Sequence, residues 1–68
     1  MLKLGIYRHF KGNEYEVIGT ATHTETHEDL VVYRALYGER QLWVRPLAMF
    51  MENVDKDGYN GPRFLWIR

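Results

Sequence analysis

The sequence of 68 residues contains no cysteine and no serine. The absence of cysteine excludes disulfide bonds and thiolate metal sites, so stability has to come from packing, helped by any self-association. The absence of both nucleophiles excludes hydrolases that use a Ser-His-Asp or Cys-His triad. The chain also lacks a glycine-rich phosphate loop, so spacing alone identifies no known reaction centre.

The chain has no excess of either charge and no long apolar run. Nine basic and nine acidic residues give a formal net charge of zero, which removes the usual electrostatic argument for non-specific binding to nucleic acid or anionic membranes. No segment approaches the roughly 20 apolar residues of a membrane-spanning helix, and the N-terminal segment MLKLGIYRHF lacks the features of a secretory signal. We therefore expect a cytoplasmic protein with no membrane association.

The sequence does contain short aromatic and β-branched segments separated by turn signals. They predict strands over residues 5–10, 14–21, 30–37, 40–45, 50–54 and 63–67. The segment LAMFM follows Pro46 and can form one helical turn with proline at its start. We predict a single mainly β domain over residues 1–68, built as a small SH3-like barrel of five to six short antiparallel strands. At most one short helical turn is expected, near residues 47–51, and an open roll is the structural alternative.

The first hairpin is predicted from the pair Gly12-Asn13, which can supply the positive φ values of a two-residue turn. This turn pairs Arg8 with Val17 and His9 with Glu16. The predicted core face then holds Ile6, Arg8, Phe10, Tyr15 and Val17, with Tyr7 and His9 on the other face. A bulge or a slip by one residue exchanges the faces, so the orientation of Arg8 is open at this stage.

A second two-residue turn is predicted at Gly38-Glu39. It pairs Arg34 with Trp43 and leaves Arg34, Trp43 and Arg45 together on the outer face. The predicted inward set is Val31, Tyr33, Ala35, Leu42 and Val44. Stacking of Arg34 on Trp43 is typical both of a cation-π pair and of a ligand-stacking surface.

Two segments invite a metal hypothesis. His23 and His27 flank a glutamate, but the segment reads as a loop, whereas the H-E-x-x-H zinc motif needs a helix. Residues 53–58, NVDKDG, resemble the opening of a calcium loop, yet position 12 of that loop is Phe64 rather than glutamate. We expect a solvated loop and a polar hairpin, with no metal and no cofactor.

The remaining chemistry favours a binding surface. Aromatic and guanidinium groups together can stack bases, hold peptides or clamp anions, so nucleic acid, nucleotides and peptides are the candidate ligands. The predicted binding residues are Tyr7, Arg8, His9, Arg34, Trp43 and Arg45. No catalytic residue is assigned, although His9 oriented by Glu16 is one acid-base arrangement to consider.

Four segments together resemble a known family: GIYRHFKGNEYEVIG, VVYRALYG, LWVRPLAMF and the closing PRF. They are similar to the bacterial domain of unknown function 1653 family over nearly the entire chain. The resemblance implies a small, mainly β bacterial domain with no established biochemical role, so it transfers no catalytic residues. His27 lies in none of these segments.

Three functional hypotheses follow. The first is a binding or interaction module that uses the aromatic and arginine surface. The second is a minimal enzyme or metal-dependent domain that uses His9, or His23 with His27. The third is a homo-oligomer in which exposed aromatic residues form the interface.

Overall fold

The computed structural model describes residues 2–68, which form seven strands and one short helix. The elements are β1 (Gly5–His9), β2 (Glu14–Thr22), β3 (Asp29–Ala35), β4 (Leu42–Pro46), α1 (Leu47–Phe50), β5 (Asn53–Lys56), β6 (Tyr59–Pro62) and β7 (Phe64–Trp66). All strand pairs are antiparallel. The prediction of a mainly β fold with one helical turn after Pro46 is therefore confirmed.

The sheet does not close into the predicted SH3-like barrel. Its five strands run in the order β4-β3-β2-β1-β7, while β5 and β6 form a separate hairpin. Closure would require β4 to pair with β7, but these strands are the two separate edges of the sheet, and α1 and the β5-β6 hairpin lie between them in the chain. The architecture is an open sheet with these elements packed over it, which corresponds to the structural alternative of an open roll.

The first hairpin has a different register from the predicted one. Arg8 pairs with Glu14 and Tyr7 pairs with Tyr15, so residues 9–13 form the loop. Gly12 adopts a φ of +112°, but Asn13 does not share the positive φ that a two-residue turn of this type needs. The register is shifted by three residues relative to the prediction, and an odd shift exchanges the faces of β1.

The faces of β1 are consequently reversed. Tyr7 is buried at 6% exposure, whereas Arg8 points outward and donates to Glu14 Oε2 at 2.9 Å. The core position predicted for Arg8 is therefore wrong. No bulge in β1 is needed to turn this residue outward, because the register irregularity lies in β2, between Val17 and Gly19.

The second hairpin is shifted by one residue. Tyr33 pairs with Trp43 instead of Val44, and the loop contains positive φ values at Gly38 and Arg40 instead of at adjacent residues. The inward placement of β3 is confirmed, since Val31, Tyr33 and Ala35 are all buried. The placement of β4 was reversed: Leu42 and Val44 are exposed, while Trp43 and Arg45 lie on the same face as Tyr33.

One aromatic cluster forms the core on this face of the sheet. Phe50 of α1 stacks on Phe64 of β7 with ring centroids 4.1 Å apart and contacts Tyr7 and Tyr33 edge to face. The buried members of the cluster are Tyr7, Tyr15, Val17, Val31, Tyr33, Ala35, Phe50 and Phe64. We call this side of the sheet the core face and the opposite side the outer face. Within residues 2–68, no helix has the length and apolar character required to cross a membrane.

Candidate functional site

The structure divides the six predicted binding residues between the two faces. Arg8 and Arg34 lie on the outer face, where Arg34 donates to the backbone carbonyl of Arg40 at 3.0 Å. The predicted pairing of Arg34 with Trp43 is wrong, because Leu42 is the residue opposite Arg34. Arg34 is therefore separated from the predicted residues of the core face. Arg8 lies beside His9 at the end of β1, where both residues line a cavity of about 160 Å³.

The other four residues lie on the core face, but they do not form one site. Tyr7 is buried, and its hydroxyl donates to the carbonyl of Lys3 at 2.6 Å. Trp43 lines a cavity of about 200 Å³ beside the loop that joins β3 to β4, where its Nε1 donates to Gln41 Oε1. His9 and Arg45 line a different and larger cavity.

That cavity, which we call the basic cavity, has a volume of about 470 Å³. Its size lies within the range of about 300–1,000 Å³ typical of small-molecule sites. Four parts of the chain contribute to it: the end of β1 with the loop that follows, strand β4, strand β5 and the link between β6 and β7. The polar residues that line it are His9, Lys11, Arg45, Asp55, Lys56 and Arg63. Four of these six carry a positive charge and one carries a negative charge, so the cavity is strongly basic in a chain whose formal net charge is zero.

His9 is held between aromatic rings at the edge of the basic cavity. Its ring lies 4.9 Å from that of Phe64, edge to face, and 4.6 Å from that of Phe10. Its Nδ1 accepts a hydrogen bond from the backbone N–H of Lys11 at 3.1 Å. Since Nδ1 is an acceptor, the neutral ring carries its proton on Nε2 and can donate that proton to a ligand.

The surroundings of His9 favour this neutral form. Burial lowers the pKa of His9, and the positive charges of Arg45, Arg63 and Lys11 lower it further. The sequence instead predicted that Glu16 would orient His9 across the strand pair. Glu16 lies opposite Ile6 on the outer face, so that arrangement is wrong.

Arg45 is positioned by two contacts that leave the end of its guanidinium available. Its Nε donates to the hydroxyl of Tyr33 at 3.3 Å, and its Cζ lies 5.6 Å from the centroid of the Phe64 ring. Neither contact uses the two terminal nitrogens, which form the fork that pairs with carboxylates and phosphates.

Arg63 reaches the basic cavity from the link between β6 and β7. Its Nη2 donates to Glu52 Oε1 at 2.8 Å, and its side chain is 22% exposed. Its Nε is buried and has no hydrogen-bond partner within residues 2–68. A buried donor without a partner costs about 1–3 kcal/mol, so this atom is a source of local strain rather than a contact open to the cavity.

The sequence did not identify Lys11, Lys56 or Arg63 as members of the site. Arg63 lies in the closing PRF segment, which carried the family resemblance but gave no indication of a neighbour. Lys11 is two residues from His9 in the chain, whereas Lys56 and Arg63 approach His9 only because the β5-β6 hairpin and the following link lie against the end of β1.

The two segments considered for metal binding take other roles. His23 Nδ1 accepts the backbone N–H groups of Glu25 and Thr26, at 3.1 Å and 3.3 Å, and so organises the loop between β2 and β3. Residues 53–58 form β5 and its turn into β6. Throughout the described part of the chain, no three histidine, aspartate or glutamate residues form a cluster that could hold a metal ion.

Comparison with known proteins supports the resemblance seen in the sequence. Residues 5–66 match the family described as Protein of unknown function (DUF1653). The chain belongs to this family. A crystal structure of a DUF1653 protein from Bordetella bronchiseptica has the same fold, with a TM-score of 0.89 and 37% sequence identity. The match covers 97% of this chain and 87% of the Bordetella protein, whereas no curated protein matches the sequence.

Proposed function

We propose that this domain is a binding module for anionic ligands and that the basic cavity is its site. The observation that carries the proposal is the convergence of four cationic side chains on one cavity in a chain of zero formal net charge. Like charges brought together in this way repel one another, and an anion bound among them removes that repulsion.

Three features support binding rather than a fortuitous surface patch. Arg45 is held in place by Tyr33 and Phe64, so little side-chain freedom is lost when a ligand binds. His9 offers a donor from a ring that is fixed by its own hydrogen bond to the Lys11 backbone. Arg63 lines the cavity with a side chain that is positioned by its Nη2 hydrogen bond to Glu52.

This proposal refines the binding module predicted from the sequence. It keeps His9 and Arg45, places Arg8 and Arg34 outside the site, and assigns Tyr7 to the core. The anionic groups of nucleotides, nucleic acids and peptides are all compatible with a basic cavity, so the ligand classes expected from the sequence remain predictions. Cytoplasmic location and self-association also stay predictions.

The minimal-enzyme hypothesis has less support. Within residues 2–68, the charged groups that act on His9 are cations, and the expected partner Glu16 lies on the other face of the sheet. The arrangement favours electrostatic binding over acid-base chemistry.

Isothermal titration calorimetry with sulfate, in a buffer of low ionic strength without other multivalent anions, tests the proposal. Arg45→Gln removes one positive charge from the cavity, and a unit charge about 4 Å away is worth roughly 1–4 kcal/mol at effective dielectric constants between 80 and 20. We therefore expect the dissociation constant to rise about tenfold or more. Binding should also weaken as potassium chloride is added.

The matched control is Arg34→Gln, which removes the same charge from the neighbouring strand on the outer face. We expect it to change the dissociation constant by less than about twofold, because solvent screens a charge on that face. Equal losses in the two variants, or no heat of binding in the wild-type protein, would show that the basic cavity is not an anion site.

A further inference from the structure

We propose that the group accepted by the basic cavity is a phosphate monoester in its dianionic form, and that His9 binds it as a neutral hydrogen-bond donor. This inference rests on the proposed function and specifies its ligand. Three observations lead to it: the charge balance, the separate elements that supply the lining residues and the hydrogen bond at His9.

The charge balance of the cavity matches a dianion. The lining includes four cationic side chains and the carboxylate of Asp55. A second carboxylate, that of Glu52, forms an ion pair with Arg63. Four positive and two negative charges leave a net charge of +2. A dianionic ligand neutralises this charge completely, whereas a carboxylate ligand neutralises half of it. The groups counted are Lys11, Arg45, Lys56, Arg63, Asp55 and Glu52.

The donors reach the cavity from separate elements. Arg45 comes from β4, Arg63 from the link before β7, and His9 from the end of β1. A phosphate monoester presents three terminal oxygens in a pyramidal arrangement and can accept from several directions, whereas a carboxylate presents two oxygens in one plane. Donors spread over three elements therefore suit a phosphate better than a carboxylate.

The hydrogen bond at His9 determines how the site responds to pH. Protonation of Nδ1 would remove the acceptor used by the Lys11 backbone N–H. The charged groups that face His9 oppose protonation from each neighbouring element: Arg45 on β4, Arg63 before β7 and Lys11 in the loop. Lys56 and Asp55 line the same cavity from β5, and Tyr15 lies beside the ring from β2. A bound dianion cancels the effect of these cations, so in the complex the hydrogen bond from the Lys11 N–H to Nδ1 is what keeps His9 neutral. We therefore expect the pH dependence of binding to come from the ligand.

The test compares three probes by calorimetry between pH 5.5 and pH 8: methyl phosphate, sulfate and acetate. A phosphate monoester has its second pKa near 6, so about half is dianionic at pH 6 and about a quarter at pH 5.5. We expect methyl phosphate to bind about twofold more weakly at pH 6 than at pH 8, and about fourfold more weakly at pH 5.5. Sulfate is a dianion throughout and should show less than about a twofold change, while acetate should bind at least tenfold more weakly than methyl phosphate.

Two variants examine the role of His9. His9→Gln retains an N–H donor but cannot titrate, so the methyl phosphate profile should keep its shape. His9→Phe retains a ring against Phe64 and removes the donor, so affinity should fall several-fold at every pH. Nitrogen chemical shifts of His9 in the wild-type protein should show a neutral ring protonated at Nε2 with and without sulfate. An imidazolium in the complex would overturn the inference without requiring any variant to fold.

The outcomes separate this inference from the proposed function. Acetate binding as tightly as methyl phosphate, or sulfate binding more tightly as the pH falls, would overturn the ligand assignment. If Arg45→Gln still weakened binding in either case, the anion site itself would stand. Absence of binding by all three probes would reject both.

Adenosine 5′-monophosphate and a phosphoserine peptide distinguish the sources of the phosphate group. Tighter binding of either one than of methyl phosphate supports a phosphate monoester as the ligand and identifies the molecule that carries it.

Discussion

Replacing Phe50 with alanine should destabilise the domain more than any conservative surface change, because this ring covers the core face of the sheet. Phe50 is 2% exposed and belongs to a helix of only four residues. Such a short helix has little intrinsic stability and depends on the packing of its buried side chain. The stacked contact with Phe64, at 4.1 Å between ring centroids, also connects this region to the rings that hold His9 and Arg45.

The expected loss is large relative to the stability of so small a domain. Truncation of a buried phenylalanine to alanine costs about 3–5 kcal/mol. At about 0.05–0.15 kcal/mol per residue, a chain of 68 residues has a free energy of unfolding of roughly 3–10 kcal/mol. Phe50→Ala should therefore leave a substantial unfolded fraction in water. Phe50→Leu, which retains most of the volume, should cost about 1.5 kcal/mol or less.

Urea denaturation followed by circular dichroism measures these differences. Met49→Ala is the matched control, since Met49 precedes Phe50 in the same helix and is 44% exposed. Its cost should be below about 1 kcal/mol. The account of the core would be refuted if Phe50→Ala and Met49→Ala reduced the free energy of unfolding by the same amount.

Two further predictions concern backbone strain and alkaline pH. Gly5 has a φ of +129°, and a Cβ there would lie 2.6 Å from the carbonyl oxygen of Arg68. Gly12 has a φ of +112°, but no atom lies within 4 Å of the place a Cβ would occupy, so Gly12→Ala is the control. Gly5→Ala should lower the free energy of unfolding by about 1 kcal/mol or more beyond the loss in Gly12→Ala. Equal losses in the two variants would contradict the clash. Burial, and next the hydrogen bond to Tyr37, raise the pKa of Tyr15 from 10.0 to about 12. The neutral hydroxyl of Tyr15 therefore contributes fully to the free energy of unfolding below pH 10, and this contribution is lost as the pH rises through 12. Between pH 9 and pH 12, the free energy of unfolding should fall by roughly 2–3 kcal/mol less in Tyr15→Phe than in the wild-type protein, as measured by urea titrations. Parallel decreases in the two proteins would contradict the raised pKa.

The approximate positions of β1 to β4 and β7 could be predicted from the sequence, because aromatic and β-branched segments alternate with clear turn signals. The strand predicted over residues 50–54 was misplaced, since it overlaps the end of α1 and only the start of β5. Strand β6 was missed, because its residues Asn60, Gly61 and Pro62 are typical of turns. The inward face of β3 was predicted correctly, since Val31, Tyr33 and Ala35 are buried and alternate with less buried residues along the strand. The pairing of the strands was not. Gly12 and Gly38 indicated where the chain turns, but not that each turn extends beyond two residues.

These register errors explain why the six predicted binding residues do not lie on one surface. A shift by an odd number of residues moves every side chain of a strand to the other face. In the observed register, Tyr7 and Trp43 lie on the core face and Arg8 lies on the outer face, so the six predicted residues do not form one surface. Lys56 and Arg63 were beyond the reach of local patterns, because the folding of the β5-β6 hairpin onto the sheet is a long-range packing event.

The central claim, that the basic cavity is an anion site, is tested most directly by the arginine Nε–H resonances in nitrogen-proton NMR spectra. Sulfate is added to the wild-type protein at low ionic strength, and the signals of all arginines are followed together. We predict saturable shifts for Arg45 and Arg63 and stationary signals for Arg8 and Arg34, which lie outside the cavity. Stationary signals for Arg45 and Arg63, or equal shifts for all four residues, would contradict the account.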